Sequence, residues 1–424
     1  MKYLFVACLL CLSVLSAVAK VPAMNKIRLT NNWEYLKGDL GGIWEAVRPA
    51  APGSSEAVPI WQPVTLPHCF NAEDAVDPDV NYYEGPGWYK TLLAIDNPYR
   101  NGRIVLDFDG AGQKTDVYVY TTHVGSHVGG YDSWNVDITD AVKAFLGSKD
   151  AKRFKGKVPL SIRCDNSRDL EMIPSDLADF NIYGGLYRYL NLVYLPEVSF
   201  EQIRLESFLS SNLKEGILKV KTSFYNPEDI RKADVTVSVY DADRKPVFSK
   251  TLEGILPLGD QLLAEMKIKN PVLWDVDVPQ LYTCELTVKT PDQTFTTEER
   301  FGFRHTEFKD KGPFFLNGKR LLLRGTHRHE DHAGVAQAMT EDMMRREMRM
   351  MKDMGVNFIR LGHYQQSEII LDLCDELGIL VWEEIPWCRG GLGGDVYKKQ
   401  ARRMLANMIV QHHNHPAVII WGLG

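Results

Sequence analysis

The sequence has few cysteines, no excess of positive charge and no long apolar run beyond its N-terminus. Its seven cysteines are spread over 424 residues, which is too sparse for a disulfide framework. Two of them lie in the N-terminal apolar run, and the odd number that remains indicates free, largely buried thiols. No later stretch approaches the roughly 18 apolar residues of a transmembrane helix. A net charge of −6 excludes electrostatic attraction to nucleic acid or to anionic membranes.

The N-terminus has the composition of a secretory signal peptide. Lys2 provides the positive start, residues 3–18 are almost entirely apolar, and Ala17-Val18-Ala19 supplies the small residues of a cleavage site. We therefore expect residues 1–19 to be removed and the protein to be exported, either to the periplasm or to the medium.

The remaining chain begins with two all-β regions. Its 45% hydrophobic and 25% charged composition is ordinary for a globular protein, and its length allows two to four domains. Between residues 25 and 198, short alternating runs are separated by glycine, proline and asparagine, a pattern that predicts an antiparallel jelly-roll β-sandwich. Residues 199–305 continue with alternating strands, and their number suits an immunoglobulin-like sandwich.

After Gly312 the pattern changes to alternating strands and helices. The predicted strands lie at 321–323, 356–361, 379–382 and 418–421, and the predicted helices at 340–354, 367–377 and 396–411. This alternation indicates parallel strands joined by helices. We therefore predict that residues 306–424 form the first half of a (β/α)8 barrel, the TIM-barrel fold.

Ionisable residues follow three of the predicted barrel strands. The first strand leads into RGTHRHEDH at 324–332, the second ends at Arg360 with His363 close behind, and the third ends in Glu383-Glu384. Because barrel enzymes build their active sites at the carboxyl ends of the strands, we expect these groups to meet in one pocket. For Arg360 the alternative is a structural role, as a cation between two strands.

The histidine-rich run also raises the question of a metal site. His327, His329 and His332, with Glu330 and Asp331 as further candidates, have the chemistry of metal ligands. However, the run has no recognised zinc spacing such as HExxH. We therefore expect no catalytic metal.

Four motifs in the barrel region carry a family resemblance. They are RGTHRHEDH at 324–332, NFIRLGHY at 357–364, LDLCDELGILVWEE at 371–384 and NHPAVIIWGLG at 414–424. In this order and approximate spacing they resemble glycoside hydrolase family 2, which includes β-galactosidases, β-glucuronidases and β-mannosidases. The two preceding sandwiches match as well, so the resemblance covers everything after the signal peptide. It implies an exo-acting β-glycosidase that works with retention, in carbohydrate catabolism.

The resemblance also implies roles for individual residues. His329 and His363 are expected to contact hydroxyls of the sugar that is cleaved, and Arg360 is expected to orient the nucleophilic carboxylate. Asp179, in DFNIYGGLYR, matches a residue by which the first sandwich reaches the sugar, although a turn-forming role is the alternative. Glu384 completes the expected substrate-binding set.

The resemblance favours a β-galactosidase-like activity, with β-glucuronidase or β-mannosidase as the alternative. The loop after Glu384 reads IPWCRGG, without the Glu and His that bind magnesium in some β-galactosidases, so no cofactor is expected. The family's acid/base and nucleophile glutamates are expected beyond Gly424, and the chain as given is therefore expected to be inactive. The expected partners are a β-linked oligosaccharide or glycoside and a possible second copy of the chain. A non-catalytic carbohydrate-binding module is the alternative from another class.

Overall fold

The computed structural model describes residues 26–49, 59–175, 178–227, 231–387, 389 and 393–424. The predicted signal peptide lies outside the described residues, as does Cys388. Within the described part of the chain, no helix is both long enough and apolar enough to cross a membrane. Two β-sandwiches are followed by a parallel βα unit, which confirms the predicted fold class.

The first sandwich consists of two antiparallel sheets. Its strands are β1 (Lys26–Arg28), β2 (Trp33–Lys37), β3 (Gln62–Val64), β4 (His68–Cys69), β5 (Pro86–Leu93), β6 (Arg103–Phe108), β7 (Lys114–Val119), β8 (Thr122–Val128), β9 (Trp134–Asp137), β10 (Val158–Asp165), β11 (Gly185–Leu186) and β12 (Leu190–Leu195), and its helices are α1 (Trp44–Val47) and α2 (Thr139–Leu146). The sheet orders are β1-β12-β6-β9 and β3-β2-β5-β10-β7-β8, and β4 pairs with β11 separately. The core between the sheets includes the buried rings of Trp33, Tyr89 and Phe108.

The second sandwich has long strands with strict alternation. Its strands are β13 (Ser199–Leu209), β14 (Glu215–Tyr225), β15 (Ala233–Tyr240), β16 (Pro246–Ile255), β17 (Gly259–Lys269), β18 (Tyr282–Lys289) and β19 (Thr294–Phe301). They form the sheets β13-β14-β17 and β16-β15-β18-β19. Along β15 every second residue is buried, because successive side chains of a strand point to opposite faces. Val235, Val237 and Val239 therefore form part of the core between the sheets.

The third unit begins with a small antiparallel sheet and continues as a parallel one. The elements are β20 (Thr306–Phe308), β21 (Phe314–Leu316), β22 (Lys319–Leu321), β23 (Gly325–Arg328), α3 (Glu341–Asp353), β24 (Phe358–Leu361), α4 (Glu368–Leu377), β25 (Leu380–Glu384), α5 (Asp395–His412) and β26 (Val418–Gly422). Strands β23-β24-β25-β26 are parallel neighbours in sequence order. This is the arrangement of the first four strands of a (β/α)8 barrel.

The prediction of a first barrel strand at 321–323 was wrong. Leu321 ends β22, which pairs with β21 in the antiparallel sheet, and the first parallel strand is Gly325–Arg328. The prediction was based on the leucines, because apolar runs are the main sequence signal for buried strands. The true strand, GTHR, carries no such signal, since three of its four residues are exposed.

The predicted helices and buried thiols are confirmed. Thr340 caps α3 by accepting a hydrogen bond from the Met343 N–H, and Glu341 and Asp342 occupy the first turn, as a helix N-terminus favours. Four cysteines of the described chain are free and buried: Cys69, Cys164, Cys284 and Cys374. Burial raises the pKa of the Cys374 thiol well above its usual value, so this residue packs in the core as a neutral group.

Candidate active site

The carboxyl ends of β23, β24 and β25 bring the predicted site residues together. His327 pairs in register with Arg360, and Arg360 with Trp382, two residues before Glu384. His329 follows β23 directly, and His363 follows β24 after one intervening glycine. Because neighbouring parallel strands end at the same edge of a sheet, residues far apart in sequence lie here within contact distance.

Arg360, Glu384 and His363 form a connected group of hydrogen bonds. The Arg360 Nη2 atom lies 2.7 Å from Glu384 Oε1 and 2.9 Å from Oε2, and Nε lies 3.1 Å from Oε2. The Nδ1 atom of His363 lies 2.9 Å from Glu384 Oε1. The Glu384 side chain is completely buried, and burial of a carboxyl group is costly unless it is paired and hydrogen-bonded. Arg360 therefore ties two neighbouring strands together and fixes the Glu384 carboxylate, while its expected role toward the nucleophilic carboxylate stays a prediction.

The contacts of His363 define its tautomer. Its Nδ1 atom lies 2.9 Å from the Glu384 carboxylate and 3.3 Å from Arg360 Nη2. A guanidinium only donates and a carboxylate only accepts, so the shorter contact assigns the proton to Nδ1, which donates to Glu384. The Nε2 atom on the other side of the ring then stays available to a ligand.

Three imidazole rings meet at this edge of the sheet. The ring centroids of His327, His329 and His363 lie 4.9 to 5.4 Å apart. Burial and the nearby Arg360 lower the pKa of His327, and burial and the two neighbouring rings lower the pKa of His329. Gly362 permits this packing, because a Cβ atom there would lie 1.9 Å from Nε2 of His327.

A loop of the first sandwich reaches the same histidines. The Phe180 ring is stacked on His363 with a centroid distance of 6.0 Å, and it lies 5.9 Å from the ring of His329. Asp179 pairs with Arg389 of the loop after β25 at 3.1 Å, and its carboxylate acts electrostatically on His327 and His329. Asp179 thus lies near the histidines of the site, and its role in binding the sugar stays a prediction.

A buried ion pair joins the first sandwich to the barrel directly below the site. Arg188 donates to Glu330 Oε2 at 3.0 and 2.7 Å, and both side chains are 1% exposed. Arg188 also donates to the carbonyl groups of Tyr131 and Gln365. Burial alone would raise the pKa of Glu330, but Arg188 and Arg328 lower it. The ion pair therefore holds the run that carries His329 against the sandwich.

The two glutamates at the end of β25 contact different parts of the structure. Glu384 belongs to the site, whereas Glu383 accepts a hydrogen bond from His412 of α5 at 2.7 Å. Successive side chains of a strand point in opposite directions. Glu383 is therefore a buried structural partner of α5.

The structure brings together five residues that the sequence places at the site: His329, His363, Arg360, Glu384 and Asp179. His332 stays apart from them, and its Nδ1 atom contacts the carbonyl of the neighbouring Ala333. Phe180 and Arg188 were not among the residues predicted from the sequence. Phe180 could have been found from the sequence, because it adjoins Asp179. Arg188 lies among apolar residues, and no sequence pattern there indicates a role at the site.

Comparisons with known proteins agree with this fold and site. Residues 40–196 match the glycosyl hydrolases family 2 sugar binding domain, residues 198–304 match glycosyl hydrolases family 2, and residues 307–424 match its TIM barrel domain. The chain belongs to glycoside hydrolase family 2.

Two solved structures and one curated relative are similar over nearly the whole chain. The chain is 98% identical to a Parabacteroides merdae β-glucuronidase solved with glycerol in its active site, with a TM-score of 0.93, covering 95% of this chain and 52% of that one. It is 59% identical to Bacteroides uniformis β-glucuronidase 3, with a TM-score of 0.91, covering 96% of this chain and 51% of that one. A putative β-glucuronidase of Formosa agariphila is 39% identical over 94% of this chain and 46% of its own length. The chain thus spans about half the length of these relatives.

Proposed function

We propose that the full-length protein, meaning the polypeptide at the length of these relatives, is an exported, exo-acting β-glucuronidase that works with retention. The geometric observation that carries the glycosidase activity is the group formed by Arg360, Glu384 and His363 at adjacent strand ends. The glucuronide specificity is supported by the similarity to β-glucuronidases at 98% and 59% identity. These identities favour a β-glucuronide substrate, the alternative predicted from the sequence, over the β-galactoside that was expected first.

The chemistry of retention explains why this edge of the barrel suits the reaction. A retaining glycosidase needs two carboxyl groups about 5–5.5 Å apart, one as acid/base and one as nucleophile. The family resemblance assigns both roles to glutamates that are not among the residues of this group. The described residues supply the surroundings: we propose that His329 and His363 bind sugar hydroxyls and that Arg360 provides positive charge beside the nucleophile.

These groups contribute to rate if they bind the transition state better than the ground state. The ring of the sugar flattens as it acquires oxocarbenium character, and its hydroxyls move relative to fixed donors and acceptors. His363 is held in one orientation by Glu384 and by the Phe180 ring. A fixed acceptor of this kind needs little reorganisation during the reaction. Such preorganisation is the usual source of electrostatic stabilisation in enzymes.

A panel of nitrophenyl β-glycosides tests the substrate. We expect the full-length protein to hydrolyse the β-glucuronide with a kcat/KM roughly 100-fold or more above that of the β-galactoside, because a site that pairs with a charged or polar group rejects analogues that lack it. The β-galactoside and β-mannoside carry the same leaving group and serve as controls. Equal or better turnover of either control would contradict the glucuronide assignment.

Removal of divalent metal ions should leave this activity intact. Magnesium requires well-placed oxygen ligands in near-octahedral geometry, and the loop after β25 presents Arg389, a cation that pairs with Asp179. We expect full activity after exhaustive dialysis against EDTA, measured with and without added Mg2+. A loss of activity that Mg2+ restores would show that the site depends on a metal ion.

A further inference from the structure

The three histidines at the site have the chemistry of a metal site as well as of a sugar site. One ring nitrogen of His327, one of His329 and one of His363 all lie within 4.8 Å of one another. The histidines come from the ends of two neighbouring strands, so the fold holds them together independently of any ligand. Neutral imidazole nitrogen is a preferred ligand of Zn2+, Ni2+ and Cu2+.

The geometry points to a binding site for a divalent transition-metal ion, with Zn2+ as its representative, on His327, His329 and His363, where the ion excludes the sugar. Zinc binds imidazole at about 2.0–2.1 Å, which places tetrahedral ligand atoms roughly 3.4 Å apart. The rings therefore have to move inward by about 1 Å or a little more. His327 is exposed and His329 is half-buried, so rotation of these two side chains toward His363, which Glu384 holds in place, supplies this movement.

The surroundings of the rings favour a ligand. Among the residues that the structure describes, no hydrogen bond occupies a ring nitrogen of His327 or His329. His363 donates from Nδ1 to Glu384, which is the carboxylate contact that commonly orients a metal-binding histidine. A second group of potential ligands, Asp372, Asp375 and His415, differs in this respect, because Asp375 is already bonded to His415 at 2.6 Å.

The charges near the three rings do not exclude a cation. The positive charge of Arg360 lowers the pKa of His327, and the carboxylate of Glu384, which Arg360 contacts through both oxygens, acts on that ring in the opposite direction. Arg389 is paired with Asp179 through a single contact of 3.1 Å, and Asp331 adds a further negative charge that acts on His329. A divalent ion bound by the three rings would therefore meet the guanidinium of Arg360 together with the carboxylates of Glu384, Asp179 and Asp331.

Equilibrium dialysis of the purified full-length protein with Zn2+ tests the site without any substrate. We expect one bound Zn2+ that is lost, or weakened at least 10-fold, in His327→Ala and in His329→Ala. His332→Ala is the matched control, because His332 belongs to the same run but not to the group of three, and we expect it to bind Zn2+ as the unsubstituted protein does. His327→Gln and His329→Gln provide second variants, and melting temperatures verify that every variant is folded.

Two results would overturn the proposal. One is a Zn2+ affinity that is unchanged within threefold in both folded variants. The other is that the unsubstituted protein shows no bound Zn2+ that is lost when these residues are replaced.

The exclusion of sugar rests on the proposed function and is measured separately: Zn2+ should raise KM for the nitrophenyl β-glucuronide without lowering kcat. Dialysis showing a bound Zn2+ that has no such effect on KM would retain the metal site and reject its overlap with the sugar.

Discussion

Replacement of Arg188 by alanine is expected to lower the free energy of unfolding by about 3–5 kcal/mol, because removing one partner of a buried ion pair leaves the other charge uncompensated. Glu330 would remain in a completely buried position without its strongest partner. The carbonyl groups of Tyr131 and Gln365 would also lose a donor. The sandwich and the barrel should therefore separate more easily, and the run that carries His329 should lose its support.

Thermal unfolding of the purified protein measures this effect. Arg345→Ala is the control, since Arg345 pairs with Glu341 at 2.7 Å on the surface, and exposed pairs contribute about 0–1 kcal/mol. The double variant Arg188→Met and Glu330→Leu should recover much of the loss, because no unpaired charge then remains buried. A change below about 1 kcal/mol in Arg188→Ala would show that the pair is not important for stability.

The sequence was sufficient for most of the architecture because the signals involved are local. Alternation along β15 and the capped, acidic start of α3 depend on residues close together in the chain, and both are confirmed. The convergence of Arg360 and Glu384 was also predictable, since parallel strands must end at one edge once the βα pattern is recognised. The sequence placed the first barrel strand four residues early, since apolar leucines outweighed the polar GTHR.

The contacts that complete the site were not predictable, because they depend on distant parts of the chain. Arg188 meets Glu330 across 142 residues, and no periodicity connects them. The grouping of the histidines has the same origin: His332 is closer in sequence to His329 than His363 is, yet the parallel register brings His363 to the group. Sequence proximity within one loop was thus a poorer guide than adjacency of strand ends.

Replacement of His329 or His363 by alanine is expected to depress kcat/KM of the full-length protein by roughly 100-fold or more, on the order of 3 kcal/mol. His363 matters most, because it contacts Glu384 through Nδ1 and leaves Nε2 for a sugar hydroxyl. Its loss removes a contact to the sugar and changes the hydrogen bonding of Glu384. Folding should be nearly unaffected, since both histidines lie at strand ends outside the hydrophobic cores.

Steady-state kinetics on the nitrophenyl β-glucuronide, together with melting temperatures, separate a catalytic role from a structural one. If the histidines bind the transition state better than the ground state, kcat should fall with kcat/KM while the melting temperature stays within a few degrees of the original. A rise in KM alone would indicate uniform binding of ground and transition states. His332→Ala, which removes an imidazole from the same run but outside the group of three, should leave both parameters unchanged. Normal kinetics in His329→Ala and His363→Ala would show that these rings do not contact the sugar, and the roles that the family resemblance implies for them would then be rejected.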